Sequence, residues 1–180
     1  MAKMKSKKMS KAVLVAIILA AAAVVMVILM ICIPLLGIDK SYTSKNIGYT
    51  LKYNTKELEY ENILLDRQNL IYMDRYVIPG SNGQFYLAVN RVAPDTNLDE
   101  ALDAFESDGS YRFTREDNIT YGAEQYPARK ISYVEYKGTT EVYVSYYYDE
   151  ANAILVTICT DEQHREFLEK TLADIRVAEK

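Results

Sequence analysis

The sequence predicts an α+β protein: an N-terminal single transmembrane helix, then an antiparallel β-sheet flanked by two helices. Three observations predict it. Ala12 to Ile38 is 27 residues without a charged side chain. Most of the chain beyond that run alternates apolar and polar residues over short stretches, the period of half-buried strands. Two stretches of that region switch to helical spacing. Strand runs joined by short turns favour an antiparallel sheet over a doubly wound parallel one.

The N-terminal residues 1–11 hold Lys3, Lys5, Lys7, Lys8 and Lys11 and no acid, and read as a short basic cytoplasmic tail. A helix of about 20 apolar residues crosses a bilayer, so the span is placed over Ala12 to Ile33, ending at Pro34, which lacks a backbone donor. The run exceeds the roughly 7–15 residues of a cleaved signal peptide. Ile31 before Cys32 is too large for a lipoprotein cleavage site. An uncleaved signal-anchor is therefore expected. Lysines stay on the cytoplasmic side, which places the C-terminal domain outside the cell membrane, at the cell envelope. Ala12, Ala16 and Ala20 form a small-residue face suited to helix packing in lipid, and so to weak self-association through the membrane helix.

Residues 34–46, with the polar stretch DKSYTSKN, read as a linker, and 47–180 as one extracytoplasmic domain. Ile47 to Tyr53 alternates as a strand. Asn54 to Tyr60 is turn-like or a short helix. Ile63–Leu65 and Leu70–Tyr76 read as short strands, and Pro79-Gly80-Ser81-Asn82-Gly83 as a turn. Phe85 to Val92 is a strand. Leu98, Ala101, Leu102 and Phe105 then follow helical spacing, with Asn97 as cap and Glu100 three residues on. Strands return at Ile119–Tyr121, Gln125–Tyr136, Thr140–Tyr148 and Ala153–Thr160. Lys137-Gly138 and Asp149-Glu150-Ala151-Asn152 are the hairpin turns. After Asp161, a plausible N-cap, the residues His164, Phe167, Leu168, Thr171, Leu172 and Ile175 mark a second helix.

Several of these segments carry a resemblance. The opening strand Gly48-Tyr49-Thr50-Leu51-Lys52-Tyr53, the strand Tyr86-Leu87-Ala88-Val89 and the helix start Asn97-Leu98-Asp99-Glu100-Ala101-Leu102 come in a familiar order. Tyr121-Gly122 with Tyr126-Pro127-Ala128-Arg129-Lys130 comes next, and Leu172-Ala173-Asp174-Ile175-Arg176-Val177 closes the chain. In this order residues 47–178 resemble the PsbP-like domains, including small bacterial envelope proteins of that type. The resemblance implies an α/β/α sandwich and accessory or interaction roles, and it supplies no catalytic residue.

The chemistry-bearing residues are few. Net charge is −4, and the part beyond the apolar run carries all 25 acids and 16 bases, so nucleic acid would be repelled. The lone histidine, His164, has no catalytic motif around it. Cys32 and Cys159 build neither a disulfide framework nor a zinc site, and the acids of Asp99 to Asp108 lack calcium-loop spacing. No cofactor, no metal and no enzymatic activity are expected. All 16 tyrosines lie between Tyr42 and Tyr148, with no tryptophan. Tyrosine suits both cross-strand packing and recognition surfaces. Tyr133, Tyr143 and Tyr147 are the candidate recognition residues. The function expected is a non-enzymatic, membrane-anchored accessory module for protein interaction or sensing. The alternative is an envelope-ligand domain that takes a glycan or small molecule on a tyrosine-rich sheet face. The expected partners are the lipid bilayer and another envelope or membrane protein.

Overall fold

A computed structural model describes residues 11–66, 71–82, 85–93, 97, 99–100, 103 and 111–178, with side chains omitted at 11–14, 16–17, 33–36, 63–66 and 71. The chain divides into two units, residues 1–38 and 39–180.

The first unit holds helix α1 (Lys11–Leu36). Among the described residues no helix is long and apolar enough to cross a membrane. The expected transmembrane helix, the signal-anchor and the single-pass topology with an extracytoplasmic domain are thereby corrected. Of the small-residue face, Ala20 is exposed, while the side chains of Ala12 and Ala16 lie outside the described residues.

The second unit is mainly β, which corrects the expected α+β class with its single sheet between two helices. It has two antiparallel sheets. The smaller joins β1 (Asp39–Ser44), β2 (Tyr49–Asn54) and β10 (Arg176–Val177) in the order β1-β2-β10. The larger contains β3 (Glu59–Asp66), β4 (Ile71–Val77), β5 (Tyr86–Arg91), β6 (Thr114–Tyr121), β7 (Tyr126–Lys137), β8 (Thr140–Asp149) and β9 (Ile154–Thr160). Its order is β3-β4-β5-β9-β8-β7-β6. Helix α2 (Glu162–Leu172) follows β9.

The polar stretch that reads as a linker is strand β1. Its hydroxyls and charges suit an exposed edge, and pairing with β2 from Asp39↔Asn54 to Ser44↔Tyr49 satisfies its backbone. Strand β10, only two residues long, closes the other side of β2 at Arg176↔Thr50. Neither strand has a local apolar pattern, because each is made by its partner. Of the helix expected after Asn97, Asp99, Glu100 and Asp103 are helical, and its remaining residues lie outside those described.

The main core lies between the small sheet with α2 and one face of the large sheet. Ile47, Tyr49 and Leu51 meet Tyr76, Leu87, Val89, Val156 and Ile158, with Leu168 and Leu172 from α2. Asp161 caps α2 by accepting from the His164 amide at 2.9 Å. On the opposite face Val142, Val144 and Cys159 form a smaller cluster with Tyr86, Tyr133 and Tyr146.

Two glycines with left-handed backbone differ in what surrounds them. A Cβ on Gly122 (φ +76) would meet the Ile175 carbonyl and the Tyr126 ring at 2.8 Å, whereas one on Gly138 (φ +68) meets nothing within 4 Å. Both substitutions by alanine carry the left-handed penalty of about 1–2 kcal/mol. Gly122→Ala is expected to cost more than Gly138→Ala, because the contact is with backbone. Urea midpoints of the two variants check this ordering.

Candidate functional site

An open groove of about 560 Å³ lies between the small sheet and α2, within the usual range for small-ligand sites. Asp39, Lys40 and Ser41 of β1, Lys52, Tyr53 and Asn54 of β2, and Glu57 in the following turn form one wall. Phe167, Lys170 and Thr171 of α2 and Asp174 just beyond it form the other.

Local rules set each wall. Asn54 donates from Nδ2 to Asp39 Oδ1 at 2.8 Å and accepts from the Lys56 amide at Oδ1 at 2.9 Å. Its carbonyl accepts from the Glu57 and Leu58 amides. One asparagine thus ties the start of β1 to the turn after β2, as Asx residues do. On α2, Phe167, Lys170 and Thr171 recur at three- and four-residue spacing, so they share a face, and Asp174 follows in the turn beyond. Thr171 fixes that face by donating to the Phe167 carbonyl at 3.0 Å. Lys170 sits in the last turn, where the helix dipole favours a cation.

The groove balances three cations, Lys40, Lys52 and Lys170, against three anions, Asp39, Glu57 and Asp174. Among the described residues none of the three lysines makes an ion pair within 4.0 Å. Tyr53 and Phe167, both half-buried, add aromatic surface. The arrangement offers ring stacking together with donors and acceptors of both signs, and no net field for a simple anion or cation.

Tyr53 also joins the groove to a phenol cluster inside the sandwich. Its ring meets Tyr76 edge-on at 5.3 Å, and Tyr76 meets Tyr60 at 5.3 Å and Tyr42 at 6.2 Å. The hydroxyls of Tyr49 and Tyr76 are 3.0 Å apart. Tyr42 and Tyr60 both donate to Asp74 Oδ1, at 3.3 and 3.1 Å, and contact each other through their hydroxyls. Asp74 is only 4% exposed, and its Oδ2 has no hydrogen-bond partner. Burial, then the neighbouring phenols and Asp74, raises the Tyr49 and Tyr60 hydroxyls far above the ordinary phenol range. Burial raises Tyr76 as well, against an opposing hydrogen bond from Tyr49.

The three candidate recognition tyrosines are not brought together. Tyr143 and Tyr147 are buried beneath α2, at 5% and 7% exposure. The Arg165 guanidinium lies 4.0 Å over the Tyr143 ring, and the Tyr143 hydroxyl donates to Glu169 Oε1 at 3.2 Å. Lys130 Nζ lies 5.4 Å from the Tyr147 ring and 3.3 Å from the same Glu169 oxygen. Burial works against the Lys130 charge, but Tyr147, Tyr143 and Glu169 outweigh it and raise its pKa. Tyr133 is on the other face of the sheet, against Tyr111, Phe113 and Tyr146. His164 holds its Nδ1 2.6 Å from Asp161 Oδ1 and stacks on Phe85. Among the described residues no group of three His, Cys, Asp or Glu side chains is placed to hold a metal.

Sequence reasoning missed the groove, whose walls are more than a hundred positions apart in the chain. It also missed Asp74, although an acid between Tyr72 and Tyr76 on one strand face was a usable sign of a buried, phenol-bonded carboxylate. No protein-family model matches the chain, and no curated protein matches it.

Burial, with Glu169 adding to it, pushes the Tyr147 hydroxyl up to about 12, from an ordinary 10.0. The folded state therefore holds this proton more tightly than the unfolded chain does. The resulting stability is fully present below pH 10 and lost as pH rises toward 12. Spectrophotometric titration should show tyrosines that stay protonated beyond pH 10 and ionise together with unfolding. Tyr147→Phe should flatten the fall of stability between pH 10 and 12.

Proposed function

We propose that this chain is a non-catalytic binding domain, and that the groove beside α2 takes a polar, ring-containing ligand of the glycan class. The observation that carries the reading is the pairing of two aromatic side chains, Tyr53 and Phe167, with a charge-balanced rim of hydrogen-bonding groups in one groove. A sugar ring has an apolar face that packs on an aromatic ring and an edge of hydroxyls that both donate and accept. Lysines supply donors only and carboxylates acceptors only, so a mixed rim suits hydroxyls better than it suits phosphate. The glycan alternative expected from the sequence thus moves from a tyrosine-rich sheet face to the edge where β1, β2 and α2 meet.

A second reading, the accessory protein-interaction module, is favoured by Val134 and Tyr136. These two apolar side chains of β7 are 42% and 73% exposed and line a shallow concavity with Tyr111 and Glu135. Cross-links to a partner centred on Tyr136 and lost in Tyr136→Ser would support it. Cross-links centred elsewhere would count against it.

Calorimetric titration of the full chain with neutral oligosaccharides, with inorganic phosphate as comparison, tests the first reading. Saturable binding of a neutral oligosaccharide is expected. Tyr53→Ala should weaken it about tenfold, the equivalent of roughly 1.4 kcal/mol of stacking. Tyr136→Ala should leave it unchanged. Phosphate binding alone, or oligosaccharide binding indifferent to Tyr53, would refute the assignment.

A further inference from the structure

We infer that Tyr42 and Tyr60 form an oxidative cross-linking site, at which a peroxidase-class one-electron oxidant fed by hydrogen peroxide joins the two rings as dityrosine. Their ring centroids are 4.0 Å apart with the planes inclined by only 32°. The other tyrosine pairs in ring contact are wider, at 4.9 Å for Tyr111 and Tyr133 and 5.3 Å or more for the rest. The hydroxyls are in contact as well, so the carbons beside each oxygen belong to neighbouring ring edges.

The carboxylate completes the site. Oxidising a phenol at neutral pH requires its proton to leave with the electron, since the phenol radical cation is strongly acidic. Both phenols already donate to Asp74 Oδ1, and the partnerless Oδ2 of the same carboxylate leaves it accepting capacity. Both rings are half-buried. Their exposed edges remain open to electron removal, while the nearest phenol ring to each is the other.

The step balances. Each phenol gives one electron to the oxidant and one proton through Asp74 to solvent. The two phenoxyl radicals join in one carbon–carbon bond ortho to the oxygens. The two ring hydrogens at the joined carbons then move to the oxygens and restore both phenols. Hydrogen peroxide takes up the two electrons and two protons, its O–O bond breaks, and two waters form. The product lacks two hydrogens and ties β1 of the small sheet to β3 of the large one. These strands are 18 positions apart and share no ladder. A covalent closure of that loop restricts the unfolded chain, so the linked form should resist denaturant better.

The test treats the full chain, dilute, with a haem peroxidase and hydrogen peroxide. The expected product is a monomer lighter by two hydrogens, with dityrosine fluorescence, a peptide map joining Tyr42 to Tyr60 and a raised urea midpoint. Tyr42→Phe and Tyr60→Phe should each abolish that link, and Asp74→Asn should slow it severalfold. A map that joins a different pair in the wild-type chain would overturn the proposal. So would a monomer of unchanged mass beside intermolecular dimers, or Asp74→Asn coupling at the wild-type rate. The wild-type map decides the outcome even if a variant fails to fold.

Discussion

A buried phenol must find a partner for its hydroxyl, and of this chain's 16 tyrosines six are buried and most of the others half-buried. Leaving one buried hydroxyl unpaired costs about 1–3 kcal/mol, so tyrosine-rich packing is stable only where acceptors are supplied. Each acceptor here comes from a distant element. Tyr121 donates to buried Asp149 at 2.9 Å, and Asn152 holds that carboxylate from the turn beyond it. Tyr143 finds Glu169 on α2. Tyr126 donates to the Val177 carbonyl at 3.3 Å and accepts from the Val177 amide at 3.0 Å, which pins the short β10. Tyr42 and Tyr60 find Asp74.

The same demand explains where the charged residues sit. Carboxylates enter the interior because phenols solvate them, and cations follow onto the ring faces. Arg165 on Tyr143, Lys130 by Tyr147 and Arg75 over Tyr86 are ring–cation contacts between elements. Lys130, Glu169 and Arg165 together lock α2 onto β8 through Tyr143. With α2 held there, its other flank, carrying Phe167 and Lys170, faces the end of β1 and β2 and makes the groove. The site is therefore a by-product of how the sheet's tyrosines are satisfied.

Much of the local structure was legible. The strands β5, β7, β8 and β9 fall within a residue or so of where alternation and β-branched residues place them, while β6 begins at Thr114, five residues before the expected Ile119, and the turns fall at Lys137-Gly138 and after Asp149. Asp161 caps α2 as its position before the apolar stripe implies. Strand β1 was illegible because a polar edge strand has no periodic signal of its own, and β10 because two residues show no period. The apolar run of α1 was read for length and hydropathy alone, and that reading is corrected: among the described residues no helix is long and apolar enough to cross a membrane. The recognition tyrosines were chosen by strand parity. Parity correctly separates Tyr143 and Tyr147 from Tyr146, yet it cannot say which face a helix covers.

Local chemistry set the periods, the turns and the helix cap, since each depends on neighbours within a few residues. Long-range packing set the rest: the presence of two sheets, the burial of Asp74 under two phenols, and the meeting of Lys40, Tyr53, Phe167 and Lys170 in one groove. Those outcomes depend on pairings across tens to more than a hundred residues, where hydrogen-bond satisfaction and packing choose among partners that local pattern leaves equivalent.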